Sequence, residues 1–163
     1  MAIASGDVGA DGEAWHAVAN QMFFRLYQCA NMLHKTGTRA VESEGLTTQR
    51  WAVLGALSRP EVVDGMAVGD LARYLRVSRQ SLSGIINRLL GDDLITAESD
   101  PADGRSKLLR LTSAGAEKWH RRALPHIHAF YDAAADGMSL DDMNDTRQHL
   151  TRLIDNMSAL DGD

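Results

Sequence analysis

The segment from Ser78 to Gly115 constrains the fold most, because its hydrophobic period changes twice in a short stretch. After Ser78, a good helix-capping residue, Leu82, Ile85, Ile86 and Leu89 recur at i, i+3, i+4 and i+7, the single apolar stripe of a helix. Gly91 fits the C′ position of that helix. Leu94 to Ser99 and Lys107 to Leu111 then read as two short strands. Between them Asp100-Pro101-Ala102-Asp103-Gly104 is a dense turn signal, so the pair forms a β-hairpin. Thr112 or Ser113 restarts a helix directly afterwards.

The flanks are helical. Trp15, Val18, Ala19, Met22, Phe23, Leu26, Cys29, Ala30 and Leu33 give one apolar face over roughly Glu13 to Lys35, and Gly37 reads as its stop. Thr47 or Thr48 caps a second helix with Trp51, Val53, Leu54 and Leu57, which Pro60 ends. Glu61 to Gly65 is a turn, and a short third helix spans about Gly69 to Leu75. The helix after the hairpin carries Trp119 and Leu124, is kinked or interrupted at Pro125, and continues with Ile127, Phe130 and Tyr131. Ser139, with Asp142 three residues on, opens a last helix bearing Leu140, Met143, Leu150, Leu153, Ile154 and Met157.

Two short helices followed by a basic hairpin make the order of a winged helix-turn-helix, whose second helix enters the major groove of DNA. The fold class is mainly α with a small β-hairpin wing. Its expected parts are an N-terminal dimerisation helix (1–36), a winged helix-turn-helix lobe (46–116) and C-terminal dimerisation helices (117–163). The terminal stripes are too apolar to stand alone in water, which predicts a homodimer.

Composition agrees with a soluble globular chain that can bury a core. The 163 residues, 44% hydrophobic and 24% charged, suit one globular domain with added helices. No apolar run approaches the length of a membrane span, and Met1 to Gly12 lacks the pattern of a secretory signal. A single cysteine makes neither an internal disulfide nor a thiolate metal cluster, so the expected compartment is the cytoplasm. The net charge of −5 is unevenly spread: Leu71 to Arg110 nets +2 and the rest −7. A basic centre within acidic flanks suits a chain whose middle meets phosphate.

The residues LTTQRWAVLGAL (46–57), VGDLARYLRVSRQSLSGIINRLL (68–90) and DLITAESDPADGRSKLLRLTSAG (93–115) resemble the MarR family of bacterial transcription regulators. The most specific part is Asp103-Gly104-Arg105-Ser106, followed by Leu111-Thr112 and Gly115. The resemblance implies an obligate homodimer on a pseudo-palindromic operator, usually a repressor released by a small ligand. It also implies that Asp103 holds the wing arginine, Arg105, for entry into the minor groove.

Placing the Leu82 stripe inward turns Gln80, Ser83, Gly84 and Asn87 outward, with Arg79 and Arg88 on the flanks. Arginine suits guanine, and Asn or Gln suits adenine, through paired hydrogen bonds, whereas the bland alternative is an ordinary solvated helix face. Gly84 lets the backbone approach the duplex. Arg105 suits the negative potential of a narrow minor groove, and Asp103 orients it by charge-assisted hydrogen bonds. Arg73 and Lys107 are expected phosphate contacts, and Ser78 completes the DNA-binding set.

In the resembled family effectors bind between the dimerisation helices and the winged lobe. Trp15, Phe23, Tyr27 and Trp51 would suit an aromatic acid or its coenzyme A thioester there, with Arg25, His34, Lys35 or Arg39 for an anion. The plainer reading makes these aromatics core residues. Cys29 raises a redox-sensing alternative. The family's peroxide-sensing branch, however, has its cysteine where Phe23 stands here, and Cys29 lies on the apolar stripe, where core packing is expected. A winged-helix module serving only protein interaction is a further alternative. His126 and His128 are two apart and cannot aim at one ion from one helix, so no metal is expected. No cofactor motif or catalytic constellation is recognisable, and no enzyme is expected.

Overall fold

The computed structural model describes residues 10–101 and 106–161. Its first helix, α1 (Ala10–Val41), runs straight through Gly37, which is therefore not the expected stop. The reason lies in the next helix, α2 (Thr48–Leu57): a Cβ at position 37 would sit 3.0 Å from the Trp51 ring and 3.3 Å from Thr48 Oγ1. Gly37 marks a close helix crossing instead. The Thr38 hydroxyl donates to Thr48 Oγ1 (2.8 Å), which donates to the His34 carbonyl (3.0 Å), and the Thr48 N–H returns to Thr38 Oγ1 (3.1 Å). The chain reverses at Gly45, whose φ of 66° favours glycine.

Helix α2 is capped by Thr47, whose side chain accepts from the Arg50 N–H, and a 3₁₀ turn at Pro60–Val62 follows it. Two residues, Met66–Ala67, then form a strand β1 that the sequence pattern did not show. They lead directly into α3 (Val68–Leu75), and α4 (Arg79–Gly91) follows across Arg76-Val77-Ser78. Both helices end with a residue other than glycine in the left-handed region, Arg76 at φ 54° and Asp93 at φ 55°. Gly91 was expected at C′; it lies inside α4, and Asp93 holds that position. The Leu94 N–H reaches Leu89 O (2.9 Å) and the Asp93 N–H reaches Leu90 O (3.1 Å), so the last carbonyls are satisfied around an aspartate.

Strands β2 (Ile95–Ser99) and β3 (Lys107–Leu111) pair in antiparallel register, Ile95 opposite Leu111 and Ser99 opposite Lys107. The small β1 joins the other edge of β3, so the wing is a three-stranded sheet in the order β1-β3-β2. Thr112 caps α5 (Ser113–Glu117). A Cβ on Gly115 would meet the Leu94 carbonyl at 1.9 Å, which explains a glycine in a helix at the base of the wing.

The interruption expected near Pro125 takes the form of a π-helical stretch, Lys118–Ala123, which runs on into α6 (Leu124–Ala134). The Leu124 N–H bonds to Trp119 O, five residues back, and Pro125 has no N–H to offer. The expected boundary at 116/117 thus falls within one helical run. By internal contacts the chain forms two units, one ending at Ile127 and one from His128. Within the second, Ser139 and Asp142 form a reciprocal capping box at the start of α7 (Leu140–Asp161).

The first unit's core is formed by fully buried Leu54, Leu71, Leu82, Leu89, Ile95 and Leu109. Cys29, expected among packed residues, is exposed. Among the described residues no helix is long and apolar enough to cross a membrane.

Candidate nucleic-acid interface

The inward face of α4 is set by Leu82, Ile86 and Leu89, all buried, with Ile85 half-buried beside them. Consequently Gln80, Ser83, Gly84, Asn87 and both flanking arginines, Arg79 and Arg88, are exposed together. Nothing lies within 4 Å of a Cβ built on Gly84, so this part of the helix presents bare backbone. The helix is held at both ends. Ser78 Oγ accepts from the Ser81 N–H (3.1 Å) and pairs with Ser81 Oγ (2.8 Å), so the Ser78 hydroxyl is engaged as a cap. At the other end Arg50 pairs with Asp92 and donates to Gly45 O (2.7 Å), tying the end of α4 to the start of α2.

The cations divide by what already holds them. Arg73 is ion-paired with Asp70 one turn earlier on α3, and both are well exposed. Such a pair contributes little to stability and leaves Arg73 available to exchange its carboxylate for a phosphate. Arg79 lies across the start of α3, its Nη2 3.0 Å from where a Gly69 Cβ would be. Lys107 Nζ donates to Ser99 Oγ (3.1 Å) across the hairpin. Asp103 and Arg105, at the expected wing tip, lie outside the described residues.

Several elements of this face escaped the sequence reading. Arg76 sits in the turn of the motif, exposed and in left-handed backbone. Arg110 was counted only as a charge, yet its guanidinium donates to Asp64 O from Nε (3.0 Å) and Nη2 (2.6 Å) and to Glu98 Oε2 from Nη1 (3.2 Å). Beside α3, Arg59 packs 4.4 Å over the Tyr74 ring and pairs with Glu61. Glu61 is held below the usual carboxylate range, chiefly by its backbone hydrogen bond and then by Arg59. The only advance signal for Arg110 was strand alternation, which places it on the face opposite Leu109.

The aromatic residues considered for an effector do not converge within the chain. Trp15, Phe23 and Tyr27 are exposed along α1, whereas Trp51 is buried against Gly37. At about 1.5 Å per residue, Trp15 lies about 33 Å along α1 from Gly37. A shallow groove on α1 is lined instead by Asn20, Gln21, Phe24, Arg25 and Gln28. His126 faces Glu44 at 4.0 Å, with Arg122 Nε 2.7 Å from the same carboxylate.

Comparison with known proteins places this geometry. A sequence model described as MarR family matches residues 44–106. A relative named Transcriptional activatory protein BadR, from Rhodopseudomonas palustris, is 56% identical over 144 residues, covering 88% of this chain and 82% of that protein. The crystal structure of the Mycobacterium tuberculosis transcriptional regulator MOSR in complex with DNA superposes with a TM-score of 0.72 at 21% identity, covering 84% of this chain and 96% of that one. The crystal structure of CouR from Rhodococcus jostii RHA1 bound to p-coumaroyl-CoA gives 0.72 at 21%, covering 83% and 92%. At that identity the two structures establish the fold alone.

Proposed function

This chain belongs to the MarR family of DNA-binding transcription regulators, and within that membership we propose a homodimer that reads a pseudo-palindromic operator. It is a regulator, not an enzyme. The observation that carries the reading is the outward face of α4, where Gln80, Ser83, Asn87 and Arg88 are exposed around bare backbone at Gly84. That face reads base edges, Arg105 with Asp103 serves the minor groove, and Arg73 and Lys107 meet phosphate. Residues 1–36 and 117–163 supply the dimer contacts, which sets the half-sites about one helical turn apart.

Fluorescence anisotropy with a footprinted operator tests it. Asn87→Ala and Arg105→Ala are each expected to lose about 1–3 kcal/mol, the scale of one good groove contact. Lys107→Ala should weaken every sequence alike and flatten the salt slope by about one unit. Wild-type affinity in Asn87→Ala would remove the assigned reading face.

Occupancy of the operator is lowered by a small organic effector, an aromatic acid or its coenzyme A thioester. Support comes from exposed Trp15, Phe23 and Tyr27, with Arg25, His34, Lys35 and Arg39 along the same helix. CouR, whose structure holds p-coumaroyl-CoA, supplies the neighbouring example. The coupling is expected at about 1–3 kcal/mol, read as ligand-dependent anisotropy and tryptophan fluorescence.

The family resemblance favours repression, and the name of the 56% identical relative favours activation. Both use the same protein surface and differ in operator placement, so a promoter fusion in cells with and without the gene separates them. A redox response through Cys29 has the thiol's exposure in its favour, and loss of peroxide sensitivity in Cys29→Ser would support it.

A further inference from the structure

The wing joins the helix-turn-helix at two places. At the end of α4 it is tied firmly, with Ile95 and Leu109 buried in the core and Thr112 donating from its N–H to Leu94 O (3.2 Å) and from its hydroxyl to Asp93 O (2.7 Å). At the start of α3, β1 offers only two residues, Met66 opposite Leu109 and Ala67 opposite Leu108. The register of β1 on β3 therefore couples the tilt of the hairpin to the start of α3. A two-residue ladder alone constrains that tilt weakly.

Arg110 reinforces that ladder. Leu109 is fully buried, so Arg110, the next residue of the same strand, lies on the opposite face of the sheet. Its stem crosses Gly65: a Cβ there would stand 2.9 Å from Arg110 Cγ and 3.0 Å from Nε. Gly65 also has a φ of 88°, so that turn both requires glycine and leaves the seat for the arginine empty. Two guanidinium N–H groups converge on Asp64 O, and a third meets Glu98 on β2. One side chain thus joins the turn before β1 to both strands of the wing. The Glu98 pair is solvent-exposed and adds little. The paired charge-assisted bonds to one carbonyl supply the rigidity.

We propose that Arg110 is a positioning residue that fixes the wing against the reading helix, so that its loss weakens operator binding through Arg105 rather than through a contact of its own. This rests on the assignment of Arg105 to the minor groove and adds the device that aims it. A guanidinium whose N–H groups already bond Asp64 O and Glu98 is poorly placed to serve a phosphate as well.

A double-mutant cycle on the full chain tests this, with operator affinity measured by anisotropy for wild type, Arg105→Ala, Arg110→Ala and the double variant. Each single variant is expected to lose on the order of tenfold, one good groove contact. The double variant is expected to lose no more than about two- to threefold beyond Arg105→Ala alone, because a tip without its arginine no longer gains from being aimed. Multiplying losses would overturn the proposal and show that Arg110 touches DNA itself or only supports the lobe. Wild-type binding by Arg105→Ala would remove the wing assignment and this proposal together, an outcome visible in that single variant. Arg110→Lys keeps the charge and one bond to Asp64 O, so it should fall between wild type and Arg110→Ala; full activity would show that charge alone suffices and would also overturn the proposal. If Arg110→Ala melts below the assay temperature, Arg110→Gln takes its place in the same cycle with the same expectations.

Discussion

The winged lobe and the terminal helices have similar hydrophobic periodicity and opposite fates. In the lobe the stripe Leu82, Ile86 and Leu89 meets Leu54, Leu71, Ile95 and Leu109, and a closed core results from one chain. On α1 no residue from Asp11 to Thr36 is buried, and α7 has none at all. Periodicity therefore shows which face of a helix seeks cover, not whether its own chain supplies it. A stripe left open over so many turns supports pairing with a second copy, whereas scattered apolar residues on a surface would need no explanation.

The largest expected effect breaks this contrast directly. Leu150 and Ile154 are 38% and 40% exposed, and changing merely exposed residues usually shifts stability by only about 0.5 kcal/mol. If α7 seats on a second copy, Leu150→Asp with Ile154→Asp should split the dimer, and losing the linked second half-site should cost about 100-fold or more in operator affinity. Sedimentation and anisotropy together check it. A variant that stayed dimeric with full affinity would place the dimer contact elsewhere.

Within the lobe the opposite holds, because packing there leaves no slack. Gly115→Ala puts a Cβ 1.9 Å from the Leu94 carbonyl, a backbone atom that moves only with β2. The expected cost is about 2–3 kcal/mol, a fall in Tm of roughly 6 °C, read by thermal melting. A variant melting with the wild type would show that the wing base yields easily.

What the sequence made legible follows the range of the interactions. Thr47, Ser78, Thr112 and the Ser139–Asp142 box act within three residues of themselves; Ser78 and the box were readable beforehand, and Thr47 and Thr112 were each narrowed to one of two neighbours. The outward face of α4 was readable too, because its buried face fixes it by geometry. Gly37 was misread as a stop because its reason, Trp51, lies in the next helix. Gly91 looked like a C′ residue because glycine usually holds that position, yet Asp93 does. Strand β1 was too short to show a period, and the Arg110 clamp spans 46 residues to Asp64. The differing burial of the aromatic residues was not legible, since no periodicity reveals that Trp51 faces the core while Trp15, Phe23 and Tyr27 do not.

The smallest effect sharpens the contrast at the level of helix caps. The lobe's caps at Thr47, Ser78 and Thr112 use hydroxyls, which do not titrate near neutral or acid pH. Helix α7 adds a carboxylate: Asp142 accepts from the Ser139 hydroxyl (2.7 Å) and from the Ser139 N–H (2.9 Å). These bonds, the hydroxyl first, hold Asp142 below its ordinary value of 3.8. A depressed folded-state pKa means that the stabilisation is fully present above the unfolded value and is lost as pH falls through the folded one. Neutral and mildly acidic solutions should therefore leave α7 unchanged, and its first turn should fray only below about pH 4. Glu61 is depressed as well, yet it lies in the Pro60–Val62 turn and caps none of the lobe's helices. Amide exchange at Ser139 should accelerate in that acid range while exchange at Arg50, Ser81 and Gly115 does not. Asp142→Asn should abolish the pH dependence at Ser139. If the lobe's cap amides loosened at the same pH as Ser139, the two regions would be sharing one acid transition, and the carboxylate cap would not be the element that sets α7 apart.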